Sequence, residues 1–486
     1  MFVVLHVFSS DFSLTLLCKE DKMFSKMSKI ISMVMAFAMI LGVVACGPVA
    51  TTAAPATQAP AAPATAAPAT AAPATKAPAT QAPAGGRVLK VWYYEGADSA
   101  MGQSWADAQK DFLASHPGVT IDFQLKTFDQ IQQTAQMVLN STDAPDVLEI
   151  NKGNSTAGLY ATQGLLTDLT AEATKRGWDK LLPSSIQTTC RYDPKTGIMG
   201  SGPLWGVTTY GEFVMVYYNK DMFAKQGIAV PTTYDEFTAA ADKFVAAGIT
   251  PIALGGADKW PVTQNFYELA LYKADRNFVN AYELFQGNLD FHGPEFTYAA
   301  TELQNQVKKG YYGKNATGTS YNDANAAFIQ GTYPMDLTGS WMFGTFLTSI
   351  KNFNWGIFVM PGKKLNTGSG GNLWVVPAGA QNKDLAYDFI DLTMKPKAQT
   401  IMANAGGIPL HADLSQISDP HVKDLNTAFN TIVSNDGLAF YPDWPVVGYM
   451  DTLGGALQEL VGGTKNPSQF LDEIAGPWTD FYKTLK

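Results

Sequence analysis

Four acidic residues stand where a reacting or binding group would be useful. Glu95 and Asp98 follow the apolar run Arg87–Tyr94, Glu149 lies near the end of the run Pro145–Ile150, and Glu212 sits at the start of Gly211–Phe223. Two carboxylates a few ångströms apart in a cleft would suit glycoside hydrolysis, and the chain holds enough of them for that use or for binding hydroxyls. Three tryptophans stand in loops broken by Gly, Ser or Pro: Trp260 in ADKWPVTQNFY, Trp341 in LTGSW and Trp444 in YPDWP. Flat rings beside Asp, Lys or Ser suit a ligand with an apolar face and a polar edge. Other chemistries lack their motifs. The chain contains no H-E-x-x-H, G-x-S-x-G or G-x-x-x-x-G-K pattern. GSGG at Gly368–Gly371 is not followed by a helical pattern and reads as a loop. Five scattered histidines suggest no metal cluster. We therefore expect no metal, no cofactor and no enzymatic activity, with a surface glycoside-acting enzyme as the minor alternative.

These residues need elements to hold them. RVLKVWYY reads as a strand ending in polar EGADS, and Trp105, Ala108, Phe112 and Leu113 then recur at helical spacing. VTIDFQLK is a second strand, Phe128 to Leu139 a helix, and PDVLEI a third, buried strand. The order β-α-β-α-β predicts a largely parallel sheet with helices on its faces. Ligand crevices of such sheets lie beyond the carboxyl ends of the strands. GEFVMVYYNKDMF reads as a long strand leading into a helix. After it, Thr232 or Thr233 is placed to cap the next helix, with Glu236 near its third position. YPMDLTGSWM, NWGIFVMPG and GGNLWVVPAG read as further strands, and NPSQFLDEIAGPWTDFYKTL as a closing helix. This is more sheet than one doubly wound domain uses, so two α/β lobes are expected.

The chain has 486 residues, a net charge of -9 and only four arginines. No basic surplus exists to neutralise phosphates, so nucleic acid is not an expected partner, and few sites could clamp an anion bidentately. The amino-terminal part has its own organisation. MFSKMSKIISMVMAFAMILGVVA (Met23–Ala45) has a basic start and a short apolar run. It ends at Cys46, in a context that resembles the lipobox of bacterial lipoproteins. Residues 1–45 are read as a signal peptide, with Met23 or Met27 as the expected start, and Cys46 as the lipidation site. Residues 46–86 repeat A-P-A-T with Lys76 the only charge, a composition that offers too little apolar side chain to fold. They read as a disordered, lipid-anchored linker, bare or glycosylated. Extended, it would span on the order of 120 Å. Cys190 is read as a buried small hydrophobe.

VTTYGEFVMVYYNKDMFAKQGIAVPTTYDEF resembles the signature of family 1 extracellular solute-binding proteins, the maltose-binding-like receptors of ABC sugar importers. PDVLEI, GLLTDLT, AFIQGTYPMDLTGSW, GIFVMPG, GGNLWVVPAGAQNKDLAYDFIDL and ANAGGIPLHAD agree in the same order, so the likeness covers residues 87–486. It implies an α/β, two-lobed periplasmic-binding-protein fold (type II, maltose-binding-like) with discontinuous lobes and a hinge cleft. Lobe one is expected at 87–207 and 333–377, and lobe two at 208–332 and 378–486. It also implies an extracytoplasmic, membrane-anchored monomer. That monomer would bind a mono- or oligosaccharide and deliver it to ABC permease subunits. A polyamine or glycerol phosphate receptor of the same fold is the alternative, and an adhesion or sensory module is a third.

A sugar site needs rings to stack on and polar groups for the hydroxyls. On the strand ends and loops that the resemblance turns toward the cleft, the candidates are Tyr94, Glu95 and Asp98, then Asn151 and Asn154, then Tyr210 and Glu212. Further along come Trp260 and Gln264, Gly339, Ser340 and Trp341, then Asn372, and finally Asp443 and Trp444. Trp92, Trp105 and Trp374 are read as core. Gly371 is read as a backbone requirement at a crossing between lobes.

Overall fold

The computed structural model describes residues 86–486 apart from Ala412. The signal peptide, Cys46 and nearly all of the linker read from the sequence lie outside the described residues. The described chain begins with β1 (Val88–Tyr93), α1 (Ala100–Ser115), β2 (Thr120–Leu125), α2 (Phe128–Leu139) and β3 (Val147–Ile150). In β1 the alternation buries Leu89, Val91 and Tyr93. α1 buries Trp105, Ala108 and Phe112 on one stripe, and the Ser99 hydroxyl caps it by accepting from the Gly102 N–H at 2.9 Å. α2 starts with a capping box. Thr127 Oγ1 accepts from the Gln130 N–H and the Gln130 side chain accepts from the Thr127 N–H. β1 lies between β2 and β3 and is parallel to both.

A hairpin of β4 (Arg191–Tyr192) and β5 (Met199–Leu204) follows, and then the chain crosses to a second sheet. The sheet is built on β6 (Gly211–Asn219), all nine residues of which are buried. Thr233 caps α3 (Tyr234–Ala246) through the Glu236 N–H, and Glu236 in turn accepts from Thr232. After the two-residue β7 (Ile252–Ala253) come α4 (Trp260–Ala270), α5 (Pro294–Lys309) and α6 (Tyr321–Ile329). β8 (Met335–Gly339) pairs along β6 and is parallel to β7, and β9 (Trp355–Phe358) pairs along the other side of β6. β10 (Gly368–Gly370) continues that side, so GSGG is a paired strand for three of its residues and not a loop. β6 offers a free edge there, and residues without side-chain bulk can lie against it. β11 (Leu373–Val375) returns to the first sheet, antiparallel to β3. The sheet orders are β11-β3-β1-β2 and β10-β6-β8-β7.

The lobes therefore divide the chain differently from the expectation. Lobe one is expected to include 333–377, but five backbone pairs tie β8 to β6 and four tie β9 to it. Those strands belong to lobe two. Conversely, α7 (Lys383–Thr393) and α8 (Pro396–Asn404) pack on α1 of lobe one. The Ser104 hydroxyl donates to the Ala398 carbonyl at 2.8 Å and the Trp178 indole N–H to Asp391 at 2.9 Å. The last part of the chain returns to lobe two. α9 (Pro420–Ser434) covers β6 and β9, and α10 (Tyr449–Val461) and α11 (Pro467–Thr484) pack on α4 and α5. Crossings fall at 205–211, at 370–373 and after Pro409, which bridges Tyr210. Trp105 and Trp374 are buried, as is Cys190, whose thiol burial pushes up to about 12. Trp92 is half-buried, with the Lys126 ammonium 4.5 Å from its ring centre.

Candidate functional site

The carboxyl ends of β1, β3 and β8 converge between the lobes, where a cavity of about 560 Å³ opens. Its lobe-one wall is made of turns. β1 delivers Tyr94 and Glu95, the turn before α1 delivers Asp98, and β3 delivers Asn151 and Lys152. The first turn of α2 adds Thr127, Phe128 and Asp129, and the Tyr94 and Phe128 rings meet edge to face at 5.3 Å.

The lobe-two wall is made of rings. Trp260 opens α4, Tyr321 opens α6, and Trp341 follows β8. Trp260 and Tyr321 lie 4.3 Å apart, and Trp260 and Trp341 6.0 Å. The Trp341 indole N–H donates to Tyr321 Oη at 2.7 Å, which fixes both rings. The row continues to Tyr441 at 6.3 Å from Trp341, and on to Trp444 at 4.9 Å from Tyr441. Phe440 holds a left-handed φ of 63° just before this turn, a strained conformation for a bulky residue. Trp444 is tied to lobe one: its carbonyl accepts from the Ser155 N–H at 3.0 Å. Its ring lies against Gly153, where a Cβ would come within 2.5 Å of the indole and φ is 94°. Only glycine fits there.

The floor carries the charge. Lys152 donates to Glu212 Oε1 at 2.6 Å and to Asn372 Oδ1 at 2.9 Å, with both charged side chains almost fully buried. The ammonium also lies 5.3 Å from the Trp444 ring centre and 5.6 Å from that of Tyr441, a cation–π arrangement. Glu95 accepts from Tyr210 Oη at 3.2 Å and Asn372 Nδ2 at 3.3 Å. Burial and the Glu212 charge push Glu95 up to about 7, against the pull of these hydrogen bonds and of Lys152. Burial pushes Asp443 up to about 6. Glu149 lies behind the wall, where burial raises it and the Tyr94 N–H donates to it at 2.8 Å. Two polar side chains at the cavity, Tyr94 Oη and Gln264 Oε1, have no hydrogen-bond partner among the described residues.

Eleven of the fifteen residues singled out from the sequence line this cavity: Tyr94, Glu95, Asp98, Asn151 and Glu212, then Trp260, Gln264 and Trp341, and finally Asn372, Asp443 and Trp444. Four do not. Asn154 faces inward, donating to the Glu283 and Pro445 carbonyls and accepting from the Met199 N–H. Tyr210 stands one layer back, where its hydroxyl accepts from the Asn372 N–H and Nδ2. A Cβ on Gly371 would lie 2.2 Å from the Tyr210 ring, so this crossing needs glycine. The Gly339 carbonyl accepts from Tyr217 Oη and the Ser340 hydroxyl from the Phe213 N–H, which uses both within lobe two. Lys152, Phe128, Asp258, Tyr321 and Tyr441 also face the cavity and are not among the residues expected there. Lys152 and Tyr441 lie in the same loops as Asn151 and Asp443, and that adjacency was the available signal.

The profile of the family described as bacterial extracellular solute-binding protein matches residues 96–400. A probable sugar-binding periplasmic protein of Mesorhizobium japonicum is 30% identical over 190 residues, 38% of this chain and 42% of that protein's own length. The multiple sugar-binding protein of Streptococcus mutans is 24% identical over 315 residues, 62% of this chain and 70% of that one. Among solved structures, a chitin oligosaccharide binding protein superposes with a TM-score of 0.69 at 21% identity, covering 82% of this chain and 99% of that one. The fold is the two-lobed, maltose-binding-like one.

Proposed function

The chain belongs to the family of bacterial extracellular solute-binding proteins, and we propose that it is the carbohydrate-capturing receptor of an ABC importer. It binds a mono- or oligosaccharide between its lobes, closes on it by hinge bending, and presents it to the permease subunits without chemical change. The observation that carries this reading is the row Trp260–Tyr321–Trp341–Tyr441–Trp444 across the cleft from a wall of hydroxyl-binding groups. A pyranose has an apolar C–H face and a rim of hydroxyls, and the two walls match the two surfaces. The sugar-binding relatives support the ligand class.

The receptor acts outside the cytoplasm as a monomer held at the membrane by a lipid on Cys46. The Ala/Pro/Thr-rich segment then serves as a tether that keeps its effective concentration beside the permease high. Acyl labelling tests the anchor: Cys46→Ala should abolish it. A thermal-shift screen of the purified chain against mono- and oligosaccharides tests the ligand. A rise in melting temperature with at least one sugar is expected. A rise only with spermidine or glycerol phosphate would overturn the ligand class.

A further inference from the structure

The charge balance of the cavity says which carbohydrates it suits. Six carboxylates face it, on Glu95, Asp98, Asp129, Glu212, Asp258 and Asp443, against two ammonium groups, on Lys126 and Lys152. Lys152 is engaged by Glu212 at 2.6 Å, and Lys126 lies over the Trp92 ring. The other five carboxylates have no ion-pair partner among the described residues. Neutral hydroxyls can donate to carboxylates, but they leave the surplus charge in place; Asp98, Asp129 and Asp258 stand exposed at the rim, whereas Glu95 and Asp443 are drawn away from water, where a carboxylate resists ionisation. Glu95 and Asp443 show that resistance. Two further features point to a cation. Five aromatic rings line the same space, and the face of such a ring attracts a cation. Gln264, 5% exposed, lines the same space and holds a buried acceptor oxygen with no hydrogen-bond partner among the described residues.

We infer that the carbohydrate this cleft takes bears a protonated amine, as an amino sugar or a short oligosaccharide containing one. The inference rests on the carbohydrate reading above and narrows it. A hydroxyl in the same position would find acceptors but would not offset the charge, and an N-acetyl group would remove the charge altogether.

The test is calorimetric titration of the full chain with matched triads that differ only in one substituent. One triad is the glucosamine β-1,4 disaccharide, its N-acetylated form and cellobiose. Others are galactosamine and mannosamine, each with its N-acetylated and hydroxyl counterparts. In at least one triad the amine should bind roughly tenfold tighter than either neutral member. The preference should shrink as salt rises from about 50 to about 500 mM. Asp443→Asn should reduce it, and the exposed Asp98→Asn provides the same test should the first variant fold poorly. If every triad shows the neutral member binding as well as the amine, the charge inference fails and the carbohydrate reading stands. If no sugar binds and spermidine does, or nothing binds, both fail.

Discussion

The two walls of the cleft differ in kind. Lobe one meets the cavity with short turns at strand and helix ends, and these carry Glu95, Asp98, Thr127, Asp129 and Asn151. Lobe two meets it with packed rings, two of which open helices and one of which is locked by a hydrogen bond to its neighbour. The turns offer directional bonds whose strength falls steeply with angle, so under the proposed function this wall is the one to select among arrangements of hydroxyls. The rings offer contact area that depends little on stereochemistry, so under the same proposal that wall is the one to supply most of the affinity. The floor belongs to both, because Lys152 comes from lobe one and Glu212 from the start of β6. Affinity and selectivity can therefore change separately, and stability is coupled to the site at one buried ion pair.

The largest effect is expected where the contrast breaks down. Lys152→Met leaves the Glu212 charge buried without its partner, at a cost of about 3–5 kcal/mol in folding stability. Urea unfolding reads this, and an unchanged midpoint would mean that Glu212 reaches water. Next comes Glu95, which Tyr210, Asn372, Lys152 and Glu212 surround. Its folded value of about 7 lies above its ordinary 4.5, so between these values the folded chain holds more protons than the unfolded one. Stability then falls as pH rises from about 4.5 to about 7. Glu95→Gln should remove about 2–3 kcal/mol of that fall. Matching pH profiles for the two proteins would show that Glu95 titrates normally.

The contrast itself is sharpened by a pair of substitutions, one from each wall. Trp341→Ala should weaken sugar binding by about 2 kcal/mol, roughly thirtyfold, for every sugar that binds. Asn151→Ala should cost about 1 kcal/mol, and unequally among epimers. Titrations with two epimeric sugars check both. A uniform loss in Asn151→Ala and an epimer-dependent one in Trp341→Ala would reverse the roles of the walls.

Much of this site is visible in the residues because its parts are local. Trp260, Trp341 and Trp444 stand in loops broken by Gly, Ser or Pro, and Glu95 follows a strand whose end had to open on the crevice. What the sequence does not display is non-local. Tyr210 precedes Glu212 of β6 by two residues, but its ring turns back to brace Asn372, from a segment more than 150 residues away. Tyr321 reads as an ordinary helix start until β8 brings Trp341 beneath it. Lys152 looks like a solvated loop lysine, since its neutralising partner comes from the other lobe. The lobe boundaries are hidden from the sequence for the same reason. β8 and β9 carry the pattern of any buried strand, and only pairing with β6 assigns them to lobe two.

A crystal structure of the chain with the sugar that most raises its melting temperature would show whether that sugar binds between the lobes. A pyranose is expected in the interlobe cavity, its C–H face on Trp341 or Trp260, and its hydroxyls or amine on Glu95, Asp98 or Asp443. A sugar bound outside the cleft, or one inside it that leaves both tryptophans uncontacted, would contradict that expectation.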